Sequence, residues 1–176
     1  MNIWKDEKPA SYLPLAEYAA NVRTVSREEF ARLRPGPVLV VGGATLIGNP
    51  RDDFMTLSTP ALHLDPLHDP NAFVVPVVKR SDTFPGIVWV GRDRPCDVWL
   101  PVQSVSKLHA QFVVKPGGGM ELMDAGSKNG TFLNGKKLVD KKPAAPVEGD
   151  LIRFGHYDVR FFGPAGLWEF LRQPGG

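Results

Sequence analysis

From residue 72 onward, short apolar runs bounded by turn residues dominate the chain. Runs of this length, enriched in β-branched and aromatic side chains, are typical of strands. We predict strands at Ala72–Lys79, Gly86–Val90, Asp97–Leu100, His109–Val114, Met120–Met123, Leu151–Phe154 and Tyr157–Phe162. Seven or more strands at a spacing of about 8–12 residues favour a β-sandwich over alternating β/α units.

The preceding part of the chain has a different, partly helical pattern. Leu13–Ala20 is a short amphipathic run, and a second helix is expected to begin after Ser26 and to end near Arg34. Ser26 and Glu29 have the spacing of a capping box, in which the two side chains satisfy free N–H groups of the first turn. The continuous apolar run Pro37–Val41 predicts a strand.

Three further segments complete the predicted organisation. Phe54–Ser58 is a candidate short strand, and the Pro-, His- and Asp-rich stretch Ala61–Asn71 is predicted to be a loop or linker. After Pro164, apolar residues at helical spacing predict a C-terminal helix over Ala165–Leu171. The predicted units are an N-terminal α/β extension or subdomain over 1–70, a β-sandwich over 71–162, and a C-terminal helix and tail over 163–176.

Charge and composition narrow the class of partner. The chain has 176 residues with 21 basic and 19 acidic side chains, and this near-balance argues against nucleic-acid binding through bulk electrostatics. Its single cysteine, Cys96, cannot form an intramolecular disulfide. No stretch approaches the roughly 18 apolar residues that span a bilayer, and the N-terminus lacks the apolar run of a signal peptide. We therefore expect a cytoplasmic protein that binds neither membrane nor nucleic acid.

Three local motifs suggest chemistry but have simpler explanations. Residues 43–50 follow an apolar strand as a P-loop does, yet Asn49 and Pro50 stand where Lys and Ser or Thr are required. Residues 63–69 contain two His and two Asp, so a metal site is the alternative to a solvated loop there. The glycosylation sequon at 129–131 matters only in a secreted chain. No nucleophile–base arrangement stands out, and we predict no catalytic residue, metal or cofactor.

Three segments near the ends of predicted strands carry many directional hydrogen-bond donors. They are Gly91-Arg92, residues 104–110 and residues 124–135. Because the loops at one end of a sandwich lie side by side, we expect these segments to meet. Together they offer a guanidinium, hydroxyls, two ammonium groups and an amide, which indicates an anion site. Of the two Asn-Gly pairs in this region, only Asn134-Gly135 is expected to be an ordinary hairpin turn.

Residues 86–155 resemble the forkhead-associated (FHA) domain, a phosphopeptide-binding β-sandwich. Six motifs stand in the order of the family: Gly91-Arg92, Asp97–Leu100, Ser106–His109, Gly126–Thr131, Asn134-Gly135 and Gly149–Gly155. Each motif is weak alone, but independent matches over one segment multiply. The resemblance, from about residue 72 to about residue 162, implies an all-β core, an FHA-type sandwich of about 10–11 short strands.

The resemblance also implies a role for individual side chains in binding phosphothreonine. Arg92 would hold the phosphate through its fork of N–H donors, and Ser106 would add a hydroxyl donor. Lys107 would add charge, although the family often has Arg there and the bidentate fork is lost. Asn129 would hold the peptide backbone beside the phosphoresidue. Lys128 stands where the family usually has Thr or Ser, and its ammonium either replaces that phosphate contact or turns into solvent.

Four other residues are expected to support the site. His109 would brace the loops, and Gly91, Gly126 and Gly130 would give them backbone freedom. The resemblance implies a non-enzymatic module that recognises phosphothreonine in partner proteins and acts in signalling or assembly. The partner would be a Ser/Thr kinase or one of its substrates. The alternative is a degenerate FHA scaffold that mediates phosphate-independent protein contacts. A third interpretation places an enzymatic role in residues 1–70, whose sequence names no reaction.

Overall fold

The computed structural model describes residues 12–42, 65–80, 84–139 and 141–173. Within these ranges, eleven strands form two sheets. The strands are β1 (Leu13–Pro14), β2 (Val38–Val41), β3 (Phe73–Pro76), β4 (Ile87–Gly91), β5 (Val98–Trp99), β6 (Ala110–Val114), β7 (Met120–Asp124), β8 (Thr131–Leu133), β9 (Lys136–Lys137), β10 (Leu151–Phe154) and β11 (Tyr157–Phe162). The helices are α1 (Leu15–Val22), α2 (Arg27–Leu33), α3 (Pro164–Arg172) and a 3-10 turn at Pro66–His68.

The two sheets differ in size and strand direction. The larger sheet has seven strands in the order β1-β3-β2-β11-β10-β8-β9, and all neighbouring pairs are antiparallel. The smaller sheet has four strands in the order β5-β4-β6-β7, of which β4 and β5 run parallel. β2 pairs with β3 on one side and β11 on the other, so it is an interior strand of the larger sheet.

β2 shows that the larger sheet is covered on both faces. Leu39 and Val41 belong to the core between the sheets, whereas Val38 and Val40 pack into a second apolar cluster with the helices. All four side chains are buried, which explains why this run is continuously apolar instead of alternating. In β6 the burial alternates, because only one face of the smaller sheet meets the core.

The helices form a layer on the outer face of the larger sheet. Phe30 of α2 and Leu167 of α3 are buried in the second apolar cluster. Ser26 caps α2 as predicted, since its hydroxyl accepts a hydrogen bond from the Glu29 N–H (3.2 Å). Pro164 lies in the first turn of α3, where a missing N–H leaves no bond unmade. Among the described helices, none has the length and apolar character needed to cross a membrane.

The fold class predicted from the sequence is confirmed, with two strand-rich sheets and few helices. The seven predicted strands from Ala72 onward are all present, with ends shifted by a few residues. The prediction missed β1, β8 and β9, which are two or three residues long and too short for alternation to show. Leu13 and Pro14 pair with β3 and do not begin a helix, so α1 starts at Leu15.

Some sequence predictions fall outside the described residues. These are the strand Phe54–Ser58, the P-loop-like stretch 43–50, and residues 63 and 64 of the His- and Asp-rich stretch. In the described part of that stretch, Asp65 caps the 3-10 turn and pairs with Arg160 of β11. The described ranges contain no group of three or more His, Cys, Asp or Glu side chains that could hold a metal ion. The predicted boundary between an N-terminal unit over 1–70 and the sandwich over 71–162 stays a prediction. β2 precedes this boundary in sequence but is hydrogen bonded to β3 and β11, which follow it.

Candidate functional site

Loops that follow β4, β5 and β7 enclose a cleft of about 340 Å³. Its lining consists of Arg92, Gln103, Ser104, Val105, Ser106, Lys107, Lys128 and Asn129. The five residues predicted to bind a ligand all belong to this lining. Segments that are distant in sequence therefore meet at one place, as expected for the loops of a sandwich.

Arg92 follows directly on β4, and its backbone is fixed against the neighbouring loop. Its N–H donates to the Ser106 carbonyl (2.9 Å). Gly91 permits this approach, because a Cβ at that position would collide with the Lys107 carbonyl oxygen. Among the described residues, the Arg92 Nε is the one buried side-chain nitrogen or oxygen without a hydrogen-bond partner. A buried donor left without an acceptor costs about 1–3 kcal/mol, so Arg92 Nε is expected to donate to a water, an ion or a ligand.

Ser106 connects the cleft to a bracing histidine. Its Oγ accepts a hydrogen bond from the Lys128 N–H (3.0 Å), and its own N–H donates to Nδ1 of His109 (2.9 Å). Because Nδ1 accepts, Nε2 carries the ring hydrogen and donates to the Gly130 carbonyl (3.1 Å). His109 is fully buried, and this burial lowers the pKa of the ring. The folded protein therefore favours the neutral imidazole. The ring lies behind the cleft and is not part of its lining.

Asp124, at the end of β7, shapes the loop that carries Asn129. It begins the predicted segment 124–135, but the sequence predictions gave it no role in the site. Its Oδ1 accepts from the hydroxyls of Ser127 and Thr131 (both 2.6 Å). Its Oδ2 accepts from the N–H groups of Gly126 and Ser127 (both 2.9 Å). Burial alone would raise the pKa of Asp124, but these hydrogen bonds outweigh burial and lower it. An Asp two residues before a Gly and three before a Ser is a turn signal that could have revealed this role.

The two Asn-Gly pairs have different geometries. Asn129 Nδ2 donates to the Ser104 carbonyl (2.9 Å), and its Oδ1 receives no hydrogen bond from a described residue. That oxygen can therefore accept from a ligand. At the second pair, Asn134 and Gly135 both have positive φ (49° and 79°) between β8 and β9, the geometry of a type I′ hairpin turn. Only the second pair is a simple hairpin turn.

Gln103, Ser104 and Val105 complete the lining. Gln103 was missed, and Ser104 and Val105 belong to the predicted segment 104–110 but were given no role, because the Ser-x-x-His motif begins at Ser106. Gly155 was also not predicted as a support residue. A Cβ at Gly155 would collide with the Ser104 carbonyl, and the Gly155 N–H donates to the Gly130 carbonyl (2.9 Å). Glycine at this position therefore lets the loops close against each other.

The charge of the cleft lining is entirely positive. Arg92, Lys107 and Lys128 contribute cations, and the lining contains no carboxylate. Lys107 and Lys128 are exposed, so solvent and salt screen their charge. The lining therefore offers hydrogen-bond donors and cations, the groups that bind an anion.

Residues 88–155, which include the whole cleft lining, match the family model of the FHA domain. This part of the chain is an FHA domain. The FHA family is a family of phosphopeptide-binding modules. The resemblance inferred from six sequence motifs is therefore confirmed for this segment.

Two mycobacterial proteins are similar to the FHA segment. The chain is 38% identical over 77 residues to the ABC transporter ATP-binding/permease protein Rv1747 of Mycobacterium tuberculosis, covering 44% of this chain and 8% of that protein. It is 36% identical over 71 residues to the glycogen accumulation regulator GarA of Mycolicibacterium smegmatis, covering 40% of this chain and 42% of GarA. The matches therefore span less than half the length of either relative.

A solved structure similar to this chain is the N-terminal FHA domain of S. cerevisiae Rad53p in complex with a phosphothreonine peptide. The two are 26% identical, with a TM-score of 0.43, and the match covers 53% of this chain and 81% of that chain.

Proposed function

We propose that this chain binds phosphothreonine in partner proteins and acts in Ser/Thr kinase-dependent signalling or assembly. The observation that carries the proposal is Arg92, whose buried Nε lacks an acceptor while the residue lines a cleft without carboxylates. A guanidinium in this setting is suited to bind an external anion with several acceptor oxygens. A phosphoryl group on threonine brings about −1.5 to −2 charges and three such oxygens.

The other cleft residues supply groups that match a phosphorylated peptide. Arg92 offers a rigid pair of N–H donors for two phosphate oxygens, and the Ser106 hydroxyl offers a third donor. Lys107 and Lys128 add positive charge at the rim. The free Oδ1 of Asn129 can accept from a peptide N–H. His109, Gly91, Gly126 and Gly130 hold the loops that present these groups.

The expected affinity follows from the number of charged hydrogen bonds. Such bonds contribute about 1.5–3 kcal/mol each, so three or four give a gross gain of roughly 5–10 kcal/mol. Ordering a flexible peptide costs several kcal/mol of this gross gain. A dissociation constant near the micromolar level, about −8 kcal/mol, is the expected balance once the remaining peptide contacts are included.

A phosphate-independent scaffold is the second candidate function. One observation favours it: the Lys128 side chain is exposed and does not supply the hydroxyl that the family usually places beside the phosphate. The two functions differ in one measurable respect. A scaffold binds its partner equally well with and without phosphorylation, whereas a phosphothreonine-binding module does not.

Isothermal titration calorimetry separates the two functions. Peptides selected from a phosphothreonine library should bind with micromolar dissociation constants, and their unphosphorylated forms should bind at least about 100-fold more weakly, the effect of losing two charge-assisted bonds. Arg92→Ala should abolish measurable binding. Arg172→Ala is the matched control, since Arg172 stacks on the Trp168 ring of α3 and does not line the cleft. Equal affinity for phosphorylated and unphosphorylated peptides contradicts the proposal and supports the scaffold.

A further inference from the structure

Tyr12, which lies outside the FHA-matched segment, forms two hydrogen bonds with the smaller sheet. Its ring is 1% exposed. Its hydroxyl accepts from the Trp99 N–H (2.8 Å) and donates to the Trp99 carbonyl (3.2 Å). Trp99 belongs to β5, an edge strand of the smaller sheet. A single hydroxyl thus pairs with both backbone groups of a residue at a sheet edge, where such groups otherwise lack a strand partner.

The side chain of Trp99 connects this contact to the cleft. Its Nε1 donates to the Arg92 carbonyl (2.8 Å), while the Arg92 N–H donates to the Ser106 carbonyl (2.9 Å). Both backbone polar groups of Arg92 are therefore held, each by a different loop or strand. The direction of the guanidinium depends on this backbone, and a displacement on the order of 1 Å is enough to impair a contact that needs several aligned donors.

A buried carboxylate fixes the other side of this connection. Asp97, which directly precedes β5 and is 1% exposed, accepts from the N–H groups of Arg80 and Trp89 (both 2.8 Å) and from the Lys79 ammonium (2.9 Å). The Arg80 guanidinium lies over the Tyr12 ring, 5.2 Å from its centre. Arg80 therefore contacts both Tyr12 and the residue that directly precedes β5.

We infer that Tyr12 and Trp99 are positioning residues for Arg92, so that the segment before the FHA-matched region contributes to the phosphate site without touching the ligand. Neither residue lines the cleft. This inference rests on the proposed function, because positioning of Arg92 is read out through phosphopeptide binding. The connection Tyr12–Trp99–Arg92 is called the tyrosine relay below.

Conservative substitutions test the tyrosine relay in the full chain. Tyr12→Phe removes the hydroxyl and keeps the ring, and Trp99→Phe removes the indole N–H donor. Each should weaken phosphothreonine-peptide binding about three- to tenfold in calorimetry, the effect of losing one well-aligned hydrogen bond between Arg92 and the phosphate. The double variant should bind no more weakly than the weaker single variant, since both break the same connection. Tyr18→Phe is the matched control, because Tyr18 is also buried but its hydroxyl bonds to no described residue. Its affinity should not change.

A second measurement distinguishes positioning from a general loss of stability. In NMR spectra of folded, peptide-free protein, Tyr12→Phe should shift the backbone amide signals of Arg92 and Ser106, and Tyr18→Phe should not. The inference is overturned if the wild type binds phosphopeptide and both Tyr12→Phe and Trp99→Phe bind it equally well. That outcome leaves the proposed function intact. Additive losses in the double variant also overturn the inference. If the wild type binds no phosphopeptide, the proposed function fails. The NMR spectra then test the tyrosine relay by themselves, and an Arg92 amide signal that does not shift in Tyr12→Phe overturns the inference.

Discussion

The helix-covered face of the larger sheet and the cleft loops are held together by different forces. The helix layer buries apolar side chains such as Phe30 and Leu167, whose association is non-directional. The cleft loops instead hold the half-buried Asp124 and the buried His109 in hydrogen bonds that need specific distances and angles. The first region therefore determines mainly how stable the fold is. The second determines where the ligand-binding groups lie, so substitutions should separate stability from binding.

The largest effect is expected in the helix layer. Phe30→Ala should reduce the free energy of unfolding by about 3–5 kcal/mol, because a buried aromatic ring is lost and a cavity remains. Urea denaturation measures this change. The folded fraction should bind phosphopeptide with unaltered affinity, since Phe30 lies outside the cleft lining. Leu33→Ala, at a 55% exposed position of the same helix, serves as the control and should change stability by no more than about 0.5 kcal/mol. A parallel loss of affinity in Phe30→Ala would mean that the two regions are coupled.

An intermediate effect is expected from pH, through the cleft loops. Burial keeps the pKa of His109 below its ordinary value. As the pH falls, the unfolded chain therefore binds a proton at this histidine before the folded chain does. The stabilisation is complete above the unfolded pKa of about 6.5 and is lost as the pH falls through the folded pKa. Protonation would also remove the acceptor for the Ser106 N–H. The lowered pKa of Asp124 affects the free energy of unfolding only at more acidic pH.

Urea denaturation between pH 8 and pH 5, without peptide, checks this dependence. The unfolding free energy of the wild type should fall toward acid with a slope of at most about 1.4 kcal/mol per pH unit, the limit for one proton. His109→Gln should be less stable at neutral pH but have a flatter profile. His156→Gln, at an exposed position, should keep the wild-type slope. Identical slopes for wild type and His109→Gln would show that another group dominates.

The smallest effect is expected at the rim of the cleft. Lys128→Ala should weaken phosphopeptide binding by less than about fivefold at physiological salt, because an exposed ammonium contributes at most about 1 kcal/mol. The effect should shrink further at high salt. Lys142→Ala, at an exposed position outside the cleft lining, should leave affinity unchanged. A loss above tenfold that persists at high salt would instead place the Lys128 ammonium directly on the phosphate.

Periodicity predicted the longer strands because alternation over four or more residues reports one buried face. It could not predict β8 and β9, which are defined by their partners in the sheet and by the Asn134-Gly135 turn between them. The run Pro37–Val41 was correctly predicted to contain a strand, β2. Its place between β3 and β11 was not predictable, since that pairing joins distant segments.

The sequence by itself determined which ligand-binding residue types are present and in what order, and it determined the local turns, the cap at Ser26 and the longer strands. These features depend on interactions within a few residues, so a linear pattern contains them. Only the tertiary structure placed Arg92, Ser106 and Asn129 in one cleft and joined Tyr12 to Trp99 across 87 positions. Contacts of that kind depend on how two sheets and a helix layer pack together, and no short stretch of the chain specifies them.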